Sequence, residues 1–203
     1  MSTYHHGNLR QALLEEGLIL LAEHGGEFSL RELARRVEVT ANACYRHFAN
    51  KDALLMALAA EGFRRLRANQ AKAEEKAAKD SRLLAGGYSY LHFAHDNPAL
   101  FRLMFGGIQS RGRSEELEEA SRASFDTLKM AVAHVQGKQV DDSSVSRAAL
   151  RAWGLVHGLS HLLLDGLLEG QGEDPLILAE SALQEAVDQV GLYNYPSTGG
   201  HHE

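Results

Sequence analysis

Residues 28–55 read FSLRELARRVEVTANACYRHFANKDALL. Ser29 followed three positions later by Glu32 is a capping-box pattern, and it opens a short helix with Leu30, Leu33, Ala34 and Val37 turned inward. Glu38-Val39-Thr40 is too short for anything but a turn, and Thr40 is placed to cap a second short helix from Ala41 to about His47. Ala49-Asn50 interrupts that helix, and Asn50 can cap another that starts at Lys51. Two short helices joined by a three-residue turn cannot cover their own apolar faces. A helix predicted from about Asn8 to His24 supplies the cover. Its Leu9, Leu13, Leu14, Leu18, Leu21 and Ala22 fall on one face, and Gly25-Gly26 ends it. The stretch therefore predicts a three-helix bundle with a helix-turn-helix connection.

The rest of the 203-residue chain agrees with helix throughout. It holds 31 Leu and 28 Ala against 9 Val and 3 Ile, and Ala and Leu favour helices while β-branched residues favour strands. Only three prolines interrupt it. An all-α fold is expected, with a head at residues 1–55, a connecting helix at 51–80, a second helical domain at 81–192 and a tail at 193–203. Helices are predicted at about 81–95, 99–105, 114–136, 145–169 and 176–191, with a basic loop at 108–113. Cys44 is the only cysteine, which excludes an intramolecular disulfide and fits a reducing, cytoplasmic setting. No run of about 18 apolar residues predicts a membrane span, and Met1 to Arg10 lacks the apolar core of a signal peptide.

The net charge of −6 argues against a general nucleic-acid binder, but the charge is unevenly placed. Residues 68–203 carry −7, whereas residues 28–51 carry +3 through Arg31, Arg35, Arg36, Arg46 and Lys51 against Glu32 and Glu38. A small basic surface on an acidic body is compatible with DNA contact through one end. The second short helix has the width of a major groove. Ala41 and Ala43 are small enough for close approach, Asn42 can bond an adenine, and Arg46 a guanine or a phosphate. Tyr45 and His47 have polar tips suited to phosphate oxygens, and Lys51 begins the next helix, where amides also attract anions. Thr40, Ser29 and Arg31 complete the candidate contact set, while Cys44 and Phe48 are expected in the core. Three-helix units that bind no DNA also carry basic surface residues, so spacing alone leaves that alternative open.

YHHGNLRQALL at the N-terminus, SLRELARRVEVT and YRHFANKDALL together resemble the N-terminal domain of the TetR family of bacterial transcriptional regulators. The resemblance implies that the helix ending at Tyr45-Arg46-His47 reads an operator, with Tyr45, His47 and Lys51 on its backbone, and that positions 40–43 and 46 lie on the same helix. Glu38 departs from the pattern, since the family usually has Gly in this turn. A non-Gly residue there is strained if the turn needs φ > 0, and its charge repels phosphate. Further on, YLHFAHDNPALFRLMFGG at 90–107 resembles TetR C-terminal domains more loosely, and WGLVHGLSHLLLDG at 153–166 resembles their Trp-His-Gly type. The implied function is a homodimeric regulator, a repressor released from a palindromic double-stranded DNA operator by a small apolar effector. In that type the 153–166 helix and the last helix pair with their copies.

The residues allow both roles. Gly154 and Gly158 lie one turn apart, and each costs about 1 kcal/mol relative to Ala inside a helix, which close approach of another helix would offset. With His161, Leu162, Leu183 and Val187 they make up the expected dimer interface; a helix buried within one chain would satisfy the same pattern. Tyr88, Leu91, His92, His95, Phe101, Met104, Phe105, Phe125, Trp153 and His157 are the candidate effector residues, a mixture that also suits an ordinary core.

His157 with His161 and His92 with His95 have helical spacings that could put two imidazoles on one face, yet no HExxH arrangement accompanies them, and neither a metal nor another cofactor is expected. No GxSxG, P-loop or GxGxxG is present, so an enzyme is not expected. The competing readings are a helical metal-dependent hydrolase, and a dimerisation module that has lost DNA binding.

Overall fold

A computed structural model describes residues 9–108, 112 and 114–190. The first eight residues, most of the basic loop and the tail, each given a part above, lie outside the described residues. The described chain forms nine α-helices and no strand: α1 (Leu9–His24), α2 (Leu30–Arg36), α3 (Ala41–Tyr45), α4 (Lys51–Lys76), α5 (Arg82–Asp96), α6 (Pro98–Phe105), α7 (Glu115–Gln136), α8 (Ser143–Leu164) and α9 (Pro175–Val190). The chain divides into two compact units, residues 1–65 with 97–122, and residues 66–96 with 123–203.

Local chemistry sets most helix starts. Ser29 Oγ accepts the Glu32 amide at 3.1 Å, Thr40 Oγ1 accepts that of Ala43 at 3.3 Å, and Asn50 Oδ1 that of Ala53 at 2.9 Å. Ser114, Asp142 and Asp174 cap α7, α8 and α9 in the same way.

Helix ends repeat one device. After α7, Gly137 sits at φ 62° with its amide on the His134 carbonyl, and Lys138 N–H reaches Ala133 O. After α8, Gly166 sits at φ 71°, its amide on Leu163 O, with Leu167 N–H on Leu162 O. These are Schellman closures, whose left-handed residue is normally Gly. This closure stops α8 at Leu164, five residues short of the expected end. After α2 the same bonds form from Glu38 to Arg35 O and from Val39 to Ala34 O, with Glu38 at φ 57°. Glu38 therefore carries the strain that the sequence made conditional on φ. A left-handed L-residue costs roughly 1–2 kcal/mol, partly offset by the roughly 0.5–1 kcal/mol of extra entropy that Gly loses on folding. Glu38→Gly is expected to stabilise the protein by about 0.5–1 kcal/mol, a rise in Tm of about 1–4 °C. A lower Tm in thermal unfolding would refute this account of the turn.

The first unit packs α2 and α3 on each other and α1 on α2 and α6. Leu13, Leu14, Leu20 and Leu21 of α1 and Leu30, Leu33 and Ala34 of α2 are buried, as is the whole run Leu54 to Ala60 of α4. Segment 97–122 belongs to this unit, although the sequence placed it in a body running from 81 to 192. The reason is the apolar face of α6. Leu100, Phe101 and Met104 are buried, and a Cβ on Gly62 of α4 would lie 2.6 Å from Met104 Sδ. Glu116, in the first turn of α7, accepts from Arg10 of α1 at 2.6 Å and from Arg64 of α4 at 2.7 Å.

In the second unit α5, α8 and α9 pack on one another. Val132 and Ala133 of α7 and Val145, Ala148 and Ala149 of α8 form a buried cluster, with Leu83, Phe125 and Leu128 against it. Among the described residues no helix is long and apolar enough to cross a membrane.

Candidate functional site

α3 is five residues long, shorter than expected, because the chain tightens at its end: Arg46 is the C-cap, and His47 and Phe48 both donate to Cys44 O. Cys44 and Phe48 point inward, 0% and 3% exposed. Burial pushes the Cys44 thiol above its ordinary range, so it stays protonated and unreactive. With those two anchored, Asn42, Tyr45, Arg46 and His47 are left exposed, and none makes a side-chain hydrogen bond or ion pair to another described residue. Ala41 and Ala43 are half-buried at the start of the same helix.

The flanking candidates are less alike than their sequence suggests. Ser29 and Thr40 are exposed, but each has its oxygen engaged in a cap. Arg31 is exposed. Lys51, the first residue of α4, is half-buried with its ammonium 5.7 Å from the centre of the Phe28 ring. Arg36, counted above in the basic surface, is tied up: its guanidinium donates to Glu16 at 2.6 Å and to Glu23 at 3.0 Å, and these bonds hold its pKa above the usual range. Arg35 is exposed, its guanidinium 4.0 Å from Glu32, so among the described residues the positive charge near α3 without a carboxylate partner is Arg31, Arg46 and Lys51. Such a surface offers hydrogen-bond donors and acceptors on a helix with small residues at its start, together with cations at its edges.

The candidate effector residues do not form one group. Phe101, Met104 and Phe105 lie in the first unit. Phe101 and Met104 are 0% and 2% exposed, and Phe105 stacks edge-on against Phe63 at 5.3 Å. They fill the core under α6, because its apolar face is covered by α1 and α4. The others lie in the second unit and are themselves divided. Leu91 is fully buried. Tyr88 donates to Gln184 Oε1 at 3.0 Å, His92 pairs outward with Glu180 at 2.7 Å, and His95 is exposed. Phe125, Trp153 and His157 do come together, around Tyr90. Trp153 Nε1–H donates to the Tyr90 hydroxyl at 3.3 Å, and Tyr90 lies 2.9 Å from His157 Nδ1. Burial raises the Tyr90 pKa, so the hydroxyl keeps its proton beside His157.

Burial first, and then neighbouring His161, hold the His157 pKa below its ordinary 6.5. The folded state thus binds this proton less well than the unfolded chain does. The contribution of His157 to stability is complete above the ordinary value and is lost as pH falls through it towards the folded value. His157→Gln is expected to reduce the loss of stability as pH falls below the ordinary histidine value, read in denaturant titrations. An unchanged pH profile would count against it.

Leu183 and Val187, expected at a dimer interface, are each 5% exposed within the single chain. They are covered by the α5–α9 packing; Leu183 sits over Gly87, where an added Cβ would lie 2.9 Å from its Cδ2. The face left uncovered is different. Leu150, Gly154, Gly158 and Leu162, each four residues apart, are all exposed along α8, and Cβ atoms added at the two glycines would meet nothing within 4 Å. His161 is half-buried beside them with its ring 4.6 Å from that of His157. On α9, Ile177 is 50% exposed. Sequence reasoning missed Leu150 and Ile177, although the i, i+4 spacing from Leu150 was available. No group of three His, Cys, Asp or Glu side chains able to hold a metal occurs among the described residues.

Residues 13–58 match the family model described as bacterial regulatory proteins, tetR family, and residues 83–186 match the tetracyclin repressor-like C-terminal domain. A solved protein of unknown function from Rhodococcus sp. RHA1 is 33% identical, with 93% of this chain and 96% of that one aligned and a TM-score of 0.77. A bacterial regulatory protein in the tetR family from Rhodococcus RHA1 is 21% identical over 89% of this chain and 96% of its own, with a TM-score of 0.62. The TetR family transcriptional regulator PfmR from Thermus thermophilus is 20% identical over 85% and 94%, with a TM-score of 0.58. No curated protein matches significantly.

Proposed function

The chain belongs to the TetR family of DNA-binding transcriptional regulators, and from that premise we propose that it is a homodimeric, non-enzymatic repressor that leaves a palindromic operator when its helical body takes up a small apolar effector. The observation that carries the reading is the exposed, unengaged set Asn42, Tyr45, Arg46 and His47 on a helix capped by Thr40. Arg46 and Asn42 would read base edges, while Arg31, Tyr45, His47 and Lys51 would hold phosphates. Selection of bound sequences from a random DNA pool tests this directly. A two-fold symmetric consensus supports head and symmetry together, and no enrichment removes both.

The uncovered stripe on α8 supports the dimer. Helix glycines with open space beside them have no reason within one chain to be Gly, and a second copy packed against Gly154 and Gly158 supplies one. Gly158→Leu is expected to give half the dimer mass in light scattering at micromolar concentration, with its helix content intact. A dimer of normal mass would place the interface elsewhere. The effector reading rests on the Tyr90, Trp153, Phe125 and His157 cluster, where aromatic surface surrounds a few polar atoms. An effector that acts must bind the operator-free arrangement more tightly than the bound one.

A further inference from the structure

A cleft of about 380 Å³ opens in the first unit between the end of α1, the start of α4 and α6. That volume lies in the range of small-molecule sites, about 300–1,000 Å³. Its floor is apolar, built by Leu21, Leu55 and Ile108. Among the described residues that line it, the charged ones are Lys51, Arg102 and Glu27. The mouth is open: a Cβ added at Gly25 or at Gly26 would meet nothing within 4 Å. An apolar floor beneath a positive rim suits a molecule with an apolar tail and one anionic head. Lys51 is also the residue assigned above to an operator phosphate, and one ammonium cannot serve both anions.

We propose that this cleft binds a small amphipathic carboxylate, its head on Lys51 and its tail on the α1–α4 floor, so that ligand and operator compete for Lys51. The site is separate from the aromatic cluster of the second unit, and only its competitive effect rests on the operator reading. Octanoate is the probe, with octanol and acetate as the uncharged and tailless controls. Calorimetry of the full chain without DNA is expected to show one octanoate per chain, with both controls at least about tenfold weaker. Arg102→Glu, on an exposed residue, should weaken octanoate about tenfold, and Ala99→Trp, which fills the cleft from α6, should abolish binding with unchanged circular dichroism. Octanoate should also raise the apparent operator Kd of the parent protein in proportion to its concentration, and not that of Ala99→Trp. No heat with octanoate, equal heat with octanol, or heat unaltered in both variants would overturn the site. Binding at the cleft without loss of operator affinity would overturn the competition. Failure to find any operator would fall on the regulator reading alone, since the calorimetry decides the cleft without DNA.

Discussion

Replacing Arg46 by alanine is expected to weaken binding to the protein's own operator by about 30-fold or more. A bidentate contact from arginine to guanine is worth about 1–3 kcal/mol, and a dimer makes it twice, so about 2–6 kcal/mol is at stake. The structure prepares the residue for this contact: Arg46 is exposed at the C-cap of α3 and has no carboxylate partner among the described residues, whereas Arg36, with the same side chain, is committed to Glu16 and Glu23. The loss should be confined to particular sequences. Competition assays on operators mutated one base pair at a time should show relaxed preference at one position in each half-site. Lys51→Ala is the contrast, because a phosphate contact weakens all sequences alike and lowers the slope of log K against log salt by about one per head. Anisotropy titrations across a salt series measure both. Unchanged affinity in both variants would remove α3 and the start of α4 from the DNA interface. A loss in Arg46→Ala that is equal for every sequence would move Arg46 to the phosphate class.

The largest expected effect on stability is at Phe101. Its side chain is completely buried and its ring centre is 4.9 Å from that of Phe105, within the apolar face of α6. Truncation to alanine removes a ring that relaxation can only partly replace, and such changes cost about 3–5 kcal/mol. For a protein of this size that corresponds to a fall in Tm of about 6–20 °C. Phe101→Leu keeps more of the volume and should cost less than half as much. Chemical denaturation and thermal unfolding of the two variants check the size and the order. The experiment separates two roles for this residue. A core residue loses stability with or without effector, whereas a ligand contact would leave the free protein nearly as stable as before. A loss below about 1 kcal/mol would return Phe101 to the effector site suggested by its sequence context.

What was legible in the amino-acid order is what local interactions decide. Ser29, Thr40, Asn50, Ser114 and Asp174 cap helices through amides two or three residues away, and such bonds can be read without knowing what lies across the fold; Asp142 caps α8 in the same way but lies in a stretch read as loop, so that helix starts two residues earlier than expected. The inward turn of Cys44 and Phe48 follows from periodicity within the same short stretch. So does the strain at Glu38, once the turn is seen to close α2 as Gly137 and Gly166 close α7 and α8.

Tertiary structure decided which partner covers each apolar face. Periodicity announces that α6 and α9 each have such a face, but the hydrophobic effect is non-directional and does not say what will bury it. Phe101 and Met104 therefore went to the unit that contains α1, and Leu183 and Val187 to the α5–α9 seam, leaving Leu150, Gly154, Gly158 and Leu162 uncovered on α8. Charge behaved likewise. Arg36 and Arg46 are equivalent in a count of basic residues, and only the position of Glu16 and Glu23 on α1, 20 and 13 residues before Arg36, neutralises one and leaves the other available.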